Sequence, residues 1–333
     1  MSRNTFFCID AHTCGNPVRV VAGGAPQLRG DTMADYRQDF MARFDWVRRA
    51  LMFEPRGHDV MSGSVLYTPV ATKCDLGFLF IETSGCLPMC GHGTIGTVTV
   101  ALESGLIGWP KGGHLRLEVP AGQVEARVSG KNGLVDEVRL FNVASYLEAD
   151  DLIVDVPGVG EIKLDVAYGG NFYAIIEPQK NYQGLESLGS SGVQHLSPIV
   201  RELVNQKITP IHPEDRRIGG VSHVMWTDKP NSPGAHAKNA VFYGAKGIDR
   251  SPCGTGTSAR MAQLYTRGKL SVGDLFVHES IIGSLFQGRV ESTCTVGNQS
   301  AIRPSIGGWA RIIGNNTIFV DDRDPFAHGF QVQ

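Results

Sequence analysis

Two copies of one α+β unit, each rich in short strands and holding a single central helix, are the fold class that this sequence predicts. Three observations predict it. A Cys-Gly-x-Gly-Thr turn opens a helical stretch twice, in "MCGHGTIG" from Met89 to Gly96 and in "DRSPCGTGTSARMA" from Asp249 to Ala262. Ahead of each turn stands a second matched pair, "IDAHTCGNPVRVV" and "LDVAYGGNFYAII", in which an aspartate (Asp10, Asp165) precedes an asparagine (Asn16, Asn171) by six residues. Behind each turn a glycine, Gly105 or Gly268, lies fifteen residues after its cysteine, where glycine commonly ends a helix. Self-similarity of this kind marks duplicated architecture.

The individual elements follow in order. Runs such as "LGFLFIE", "LRLEV" and "NTIFVDD" read as strands, and the 41 glycines supply tight turns between such runs. In the helix after Cys90, Ile95, Val98, Ala101 and Leu102 leave few polar positions, so it is expected to be buried on most sides. Beyond each helix, "LRLEVPAGQVEARV" and "FVHESIIGSLFQGRVE" each read as two strands hinged on a glycine. With 333 residues the chain exceeds the usual size of one hydrophobic core. We place one half at 1–160, carrying Cys90, and the other at 161–314, carrying Cys253. A final strand within 315–333 is expected to return to the first half.

Composition narrows the function. The 31 basic and 33 acidic residues give a net charge of −2, with no run of like charge, which argues against nucleic acid and membrane surfaces and for a small-molecule substrate. No segment approaches the roughly 20 apolar residues of a membrane span, and the N-terminus lacks a signal-peptide core; a cytoplasmic location is expected. Seven scattered cysteines do not form a secreted disulfide framework. Cys8, Cys74 and Cys294 read as packed thiols.

Cys90 and Cys253 are different. A thiol at a helix N-terminus faces unpaired N–H groups and the positive end of the macrodipole, and it is expected to ionise more readily than a free one. The glycines that follow, Gly91, Gly93, Gly254 and Gly256, let backbone N–H groups approach and cradle an anion such as a carboxylate. If both helix starts serve one cleft, one thiolate removes an α-proton while the opposite thiol returns one to the other face, which is racemase or epimerase chemistry.

The motifs "MCGHGTIG", "DVAYGGNFYAI" and "DRSPCGTGTSARMA" resemble those of the proline racemase family. "HTCGNPVR", "EPRGHDVMSGS" and "HESIIGS" resemble its 4-hydroxyproline 2-epimerase branch. The resemblance runs from about Phe6 to the C-terminus. It implies a diaminopimelate-epimerase-like fold, with two pseudosymmetric β-barrel-like domains each wrapped around a central helix. It also implies a homodimer, no cofactor, and catalytic thiols at Cys90 and Cys253. Gly91, His92, Gly254 and Thr255 would hold the substrate carboxylate, Asp249 would meet the ring nitrogen, and His223 would help to bind substrate. Ser62 and Ser64 are polar candidates for a ring hydroxyl. For His223 a structural, hydrogen-bonded histidine is the competing reading, and for Asp249 a turn or cap residue.

The reaction expected is interconversion of trans-4-hydroxy-L-proline and cis-4-hydroxy-D-proline. Proline racemisation and, with one base, dehydration of trans-3-hydroxy-L-proline are the alternatives within the family. Two rivals come from other classes. Gly91-His92-Gly93-Thr94-Ile95-Gly96 satisfies the dinucleotide fingerprint G-x-G-x-x-G, with Glu118 or Glu279 as the acid that an NAD-binding oxidoreductase would need. Cys86, Cys90 and His92, with a fourth ligand from Cys14 or Cys253, would make a structural zinc site; the reading adopted has no metal. Cys86 reads as a packed thiol near the site, and Cys14 is left undecided.

Overall fold

A computed structural model describes residues 3–332 of the chain. It separates into two compact units, Met1–Leu140 with Gly308–Gln333, and Phe141–Gly307. The hairpin of strands Ser145–Val156 and Gly160–Tyr168 lies wholly within the second unit.

The duplication is visible in the strand ladders. In the first unit, strand Ala310–Asp321 runs antiparallel to Arg3–Thr13, which is antiparallel to Asn16–Gly23. Asn16–Gly23 is parallel to Ser62–Tyr67, which is antiparallel to Leu76–Glu82. Leu76–Glu82 is parallel to His114–Val119, which closes a hairpin with Gly122–Lys131. The second unit repeats these steps through Ser145–Val156, Gly160–Tyr168, Phe172–Ile176, Val221–Asp228, Ala237–Tyr243, Leu275–Glu279 and Leu285–Val296, with parallel pairing at the same two places. Strand Gln299–Gly308 then pairs with both Leu285–Val296 and Ser145–Val156, so this ladder returns to its own start as a barrel.

One helix occupies the middle of each unit. Gly91–Glu103 is buried at every position from Gly91 to Leu102, and Gly254–Thr266 from Gly254 to Leu264. The first is rich in β-branched residues, which are poor helix formers in water. Burial overrides that preference, and the hydroxyls of Thr94, Thr97 and Thr99 each donate to the carbonyl four residues back, so none is left unsatisfied in the interior. Both helices end alike. Gly105 and Gly268 adopt φ +67° and +68°, their N–H groups bond Leu102 and Tyr265, and the next N–H reaches back to Ala101 or Leu264, which is a Schellman termination.

The repeated aspartates are also explained. Asp10 is the cross-strand partner of Arg19 and binds its guanidinium through both oxygens. Asp165 receives Arg267 in the same forked manner. Outside each barrel-like sheet lies further helical cover. In the first unit Met33–Arg43 and Asp45–Met52 bury Phe40, Val47 and Leu51 against Val65, Leu79 and Ile81. In the second, Leu185–Lys207 buries Val193, Val200 and Val204 against Val224 and Trp226. Among the described residues no helix is long and apolar enough to cross a membrane.

Candidate active site

Each repeated turn places its cysteine at the N-cap of a buried helix. Cys90 is the N-cap of Gly91–Glu103 and Cys253 that of Gly254–Thr266. The helical ladder begins with Thr94 N–H to the Cys90 carbonyl and Thr257 N–H to the Cys253 carbonyl. The N–H groups of Gly91, His92 and Gly93, and of Gly254, Thr255 and Gly256, therefore stand outside the ladder at the positive end of the dipole.

The second glycine of each motif is there for a reason of space. A Cβ on Gly93 would lie 3.0 Å from Cys90 Sγ and 3.2 Å from the Phe80 ring; on Gly256 it would lie 3.1 Å from Cys253 Sγ and 2.7 Å from Met225 Cε. Gly93→Ala is therefore expected to displace the Cys90 sulfur and to slow its alkylation by iodoacetate roughly tenfold or more, a change small in distance but large in rate. Peptide mass analysis of the alkylated protein checks this.

The two thiols have different neighbours. Cys90 Sγ lies 3.4 Å from His92 Nδ1. On the far side of that ring, Nε2 is 2.7 Å from Ser62 Oγ and 3.0 Å from Asn16 Nδ2, while Thr13 donates to the His92 carbonyl at 2.8 Å. Ser62 and Asn16 thus fix the imidazole that faces the sulfur. Ser64 turns to the helix instead, where its hydroxyl meets Thr97 at 2.7 Å in a fully buried position.

Cys253 Sγ lies 3.3 Å from the hydroxyl of Tyr173, which is itself 2.6 Å from Thr255 Oγ1. Burial pushes the Cys253 thiol well above its ordinary range, and the Asp249 carboxylate adds to this; Tyr173, the Gly256 N–H and Thr255 pull it back down. A thiol more easily ionised than a free one was expected at this helix start. The helix N–H does act in that direction, but the loss of hydration on burial outweighs it.

Asp249 accepts the Ser251 N–H at 2.8 Å, so it does serve its turn, and it is buried beside the second thiol. His223 bonds Ser222 Oγ through Nδ1 at 2.7 Å and packs, tilted, with its ring 4.8 Å from that of Tyr173. It stands one aromatic ring away from Cys253. Tyr173 itself escaped the sequence reading, although the quoted motif contains it. The signal was there: counting from the repeated asparagines, Tyr173 matches the plain Val18 of the first copy, so a polar-tipped aromatic had been placed where the first copy needs none.

The remaining candidates take structural places. Cys14 and Gly15 form a two-residue hairpin loop with φ +47° and +97°, and the Cys14 sulfur and N–H both point to the Trp309 carbonyl. Cys86 packs in the core with Phe40 and Leu51, where burial pushes its thiol up to about 12. Glu118 accepts the Ala71 N–H, and Glu279 accepts those of Asn231 and Ser232 and pairs with Lys238. The acids that a dinucleotide site would use are thus committed to loop backbone. Among the described residues no three His, Cys, Asp or Glu side chains converge as metal ligands.

Duplicated α+β units, each wrapped around one buried helix, define a diaminopimelate-epimerase-like fold. Comparisons with known proteins agree. The family described as proline racemase matches residues 8–331. A 4-hydroxyproline 2-epimerase from Shewanella loihica is 58% identical over 332 residues, covering 100% of both chains, and a probable 4-hydroxyproline 2-epimerase from Rhizobium meliloti is 59% identical over 333, again covering both entirely. Among solved structures, a hydroxyproline epimerase from Agrobacterium vitis with bound trans-4-hydroxy-L-proline superimposes with a TM-score of 0.92 at 31% identity, covering 99% of this chain and 95% of that one. A Bacillus anthracis protein of the PhzF family, at 14% identity and a TM-score of 0.59 over 96% of this chain and 99% of that one, shares the fold. The chain belongs to the proline racemase family, and it is an isomerase of the racemase and epimerase type.

Proposed function

We propose that the chain is a 4-hydroxyproline 2-epimerase, interconverting trans-4-hydroxy-L-proline and cis-4-hydroxy-D-proline by proton transfer between Cys90 and Cys253. The observation that carries this reading is the duplication itself: each thiol caps a buried helix and has a glycine three residues on that leaves room for the sulfur. Full-length identity of 58–59% to proteins named for this reaction supports the substrate, as does the bound ligand of the Agrobacterium vitis structure.

In the proposed reaction the two thiols address the α-carbon from opposite faces. One, as thiolate, takes the C2 proton; the electron pair left on carbon is delocalised into the carboxylate, which the N–H groups of Gly91, His92, Gly254 and Thr255 hold and stabilise. The other thiol donates its proton to the opposite face. Thiol and thiolate have then exchanged places, and the reverse reaction runs with the roles swapped. Asp249 takes the ring ammonium, and a buried carboxylate is the natural partner for that charge. His223 with Ser62 is assigned to the polar side of the ring, and Ser64, engaged by Thr97, acts there only through the strand that it shares with Ser62.

Incubation of the protein in D₂O with trans-4-hydroxy-L-proline, L-proline and trans-3-hydroxy-L-proline, each followed by chiral chromatography and mass analysis, tests this. The expected result is fast turnover of the first, with deuterium entering the product while recovered substrate stays protonated at early times. Equal early labelling of both epimers would indicate a single shared base. Faster turnover of L-proline would move the assignment to proline racemisation.

A further inference from the structure

The second thiol stands on backbone unlike that of the first. Cys253 has φ +62° and ψ 106°, whereas Cys90 is extended at φ −146°. A side chain at positive φ is strained and persists only where its surroundings impose it. Those surroundings lie behind the turn. The Pro252 carbonyl accepts from Asn239 Nδ2 at 2.8 Å and from Thr257 Oγ1 at 3.1 Å. Thr257 Oγ1 is 2.9 Å from His278 Nδ1, and Asn239 Nδ2 is 3.1 Å from both ring nitrogens of His278. All three side chains are buried.

Thr257 gives its one hydroxyl proton to the Pro252 carbonyl, so it accepts from Nδ1–H of the imidazole, and the amide nitrogen of Asn239 rests against the same ring. The imidazole stays neutral throughout the physiological range, because burial, with Arg260 adding to it, lowers His278 to about 3. Both side chains that donate to the Pro252 carbonyl thus rest on one neutral imidazole. At the equivalent place in the first unit, Thr94 donates to the carbonyl of Cys90 itself, and there the backbone needs no such support.

We infer that Asn239, Thr257 and His278 are positioning residues that hold the Pro252 carbonyl, keep Cys253 in its left-handed conformation, and so present its sulfur to Tyr173, Thr255 and the Gly256 N–H. The inference rests on Cys253 being one of the proton-transfer thiols. The three side chains act through the backbone, since their partners are the carbonyl and one another.

Thr257→Val, which keeps the shape and removes the hydroxyl, is the test, with Thr257→Ser as the conservative rescue. Two readouts are taken: iodoacetate alkylation of Cys253 and of Cys90, followed separately by peptide mass, and kcat and KM with trans-4-hydroxy-L-proline. For the valine variant, Cys253 alkylation and kcat are expected to fall roughly tenfold or more. KM should stay within about twofold and Cys90 alkylation should not change, while serine should restore both rates to within about threefold. His278→Phe, near in size, should behave as valine does. The inference is overturned if Cys253 keeps its reactivity in both variants, if Cys90 loses reactivity in parallel, or if both variants fail to fold, which would make the network one of stability alone. Alkylation is read without substrate, so absence of hydroxyproline turnover in the unaltered protein would count against the proposed function and leave the thiol readout intact.

Discussion

Replacing Cys90 or Cys253 with serine is expected to leave a folded protein whose epimerisation of trans-4-hydroxy-L-proline falls by about 10³-fold or more. Positioned acid–base groups contribute about 10²–10⁴-fold each, and a serine hydroxyl at neutral pH supplies almost no alkoxide to act as base. The loss should be similar for the two single variants and hardly deeper in the double one, because a relay that lacks either member is already broken. The fold tolerates the change: both sulfurs sit beside a glycine chosen for room, and the smaller oxygen strains nothing. Chiral chromatography with a thermal melt as control decides the matter. A serine variant that keeps more than about a tenth of the rate would remove its cysteine from the proton path.

The largest expected effect on stability lies away from the thiols. Arg19 ties two strands and a loop together: its Nε and Nη2 bind Asp10, and its Nη1 donates to the carbonyls of Leu51 and Arg56 at 2.8 and 2.5 Å. Asn316 Nδ2 adds a further donor to Asp10. Both charged groups are buried. Arg19→Met strands a carboxylate and two carbonyls in the interior, a change that typically costs about 3–5 kcal/mol. Asp10→Leu together with Arg19→Met should recover part of that loss, since removing both charges leaves nothing unpaired. Urea denaturation of the three proteins measures it, and a single-variant cost below about 1 kcal/mol would mean that water reaches the site.

Much of this was legible in the chain because the duplication left chemical landmarks at fixed spacing. The repeated cysteines stand at the N-cap of a buried helix in both units, the glycines fifteen residues on end that helix, and the paired aspartates each bind an arginine through both oxygens. Ladder order was not legible. Parallel pairing of Asn16–Gly23 with Ser62–Tyr67 is set by contacts across forty residues of intervening chain, and no local pattern records it. Differences between the copies were harder still. The strained turn at Cys253 follows from Asn239 and His278, residues far from it in sequence, and the rise of its thiol follows from burial, which a motif does not report. Where the halves diverge, as at Val18 and Tyr173, the sequence held a clue that only comparison of the copies brings out.

The pairing of strand Arg3–Thr13 with strand Ala310–Asp321 has a consequence for synthesis. The second unit is one continuous stretch, and it can become fully native as soon as that stretch has left the ribosome. The earlier-made unit must wait, with one edge unpartnered, until strand Ala310–Asp321 has been made. Chains truncated just short of Ala310 and released from the ribosome should therefore carry a finished domain beside an incomplete one, and the unpartnered edge of the latter is where they are most open to chaperones and to aggregation.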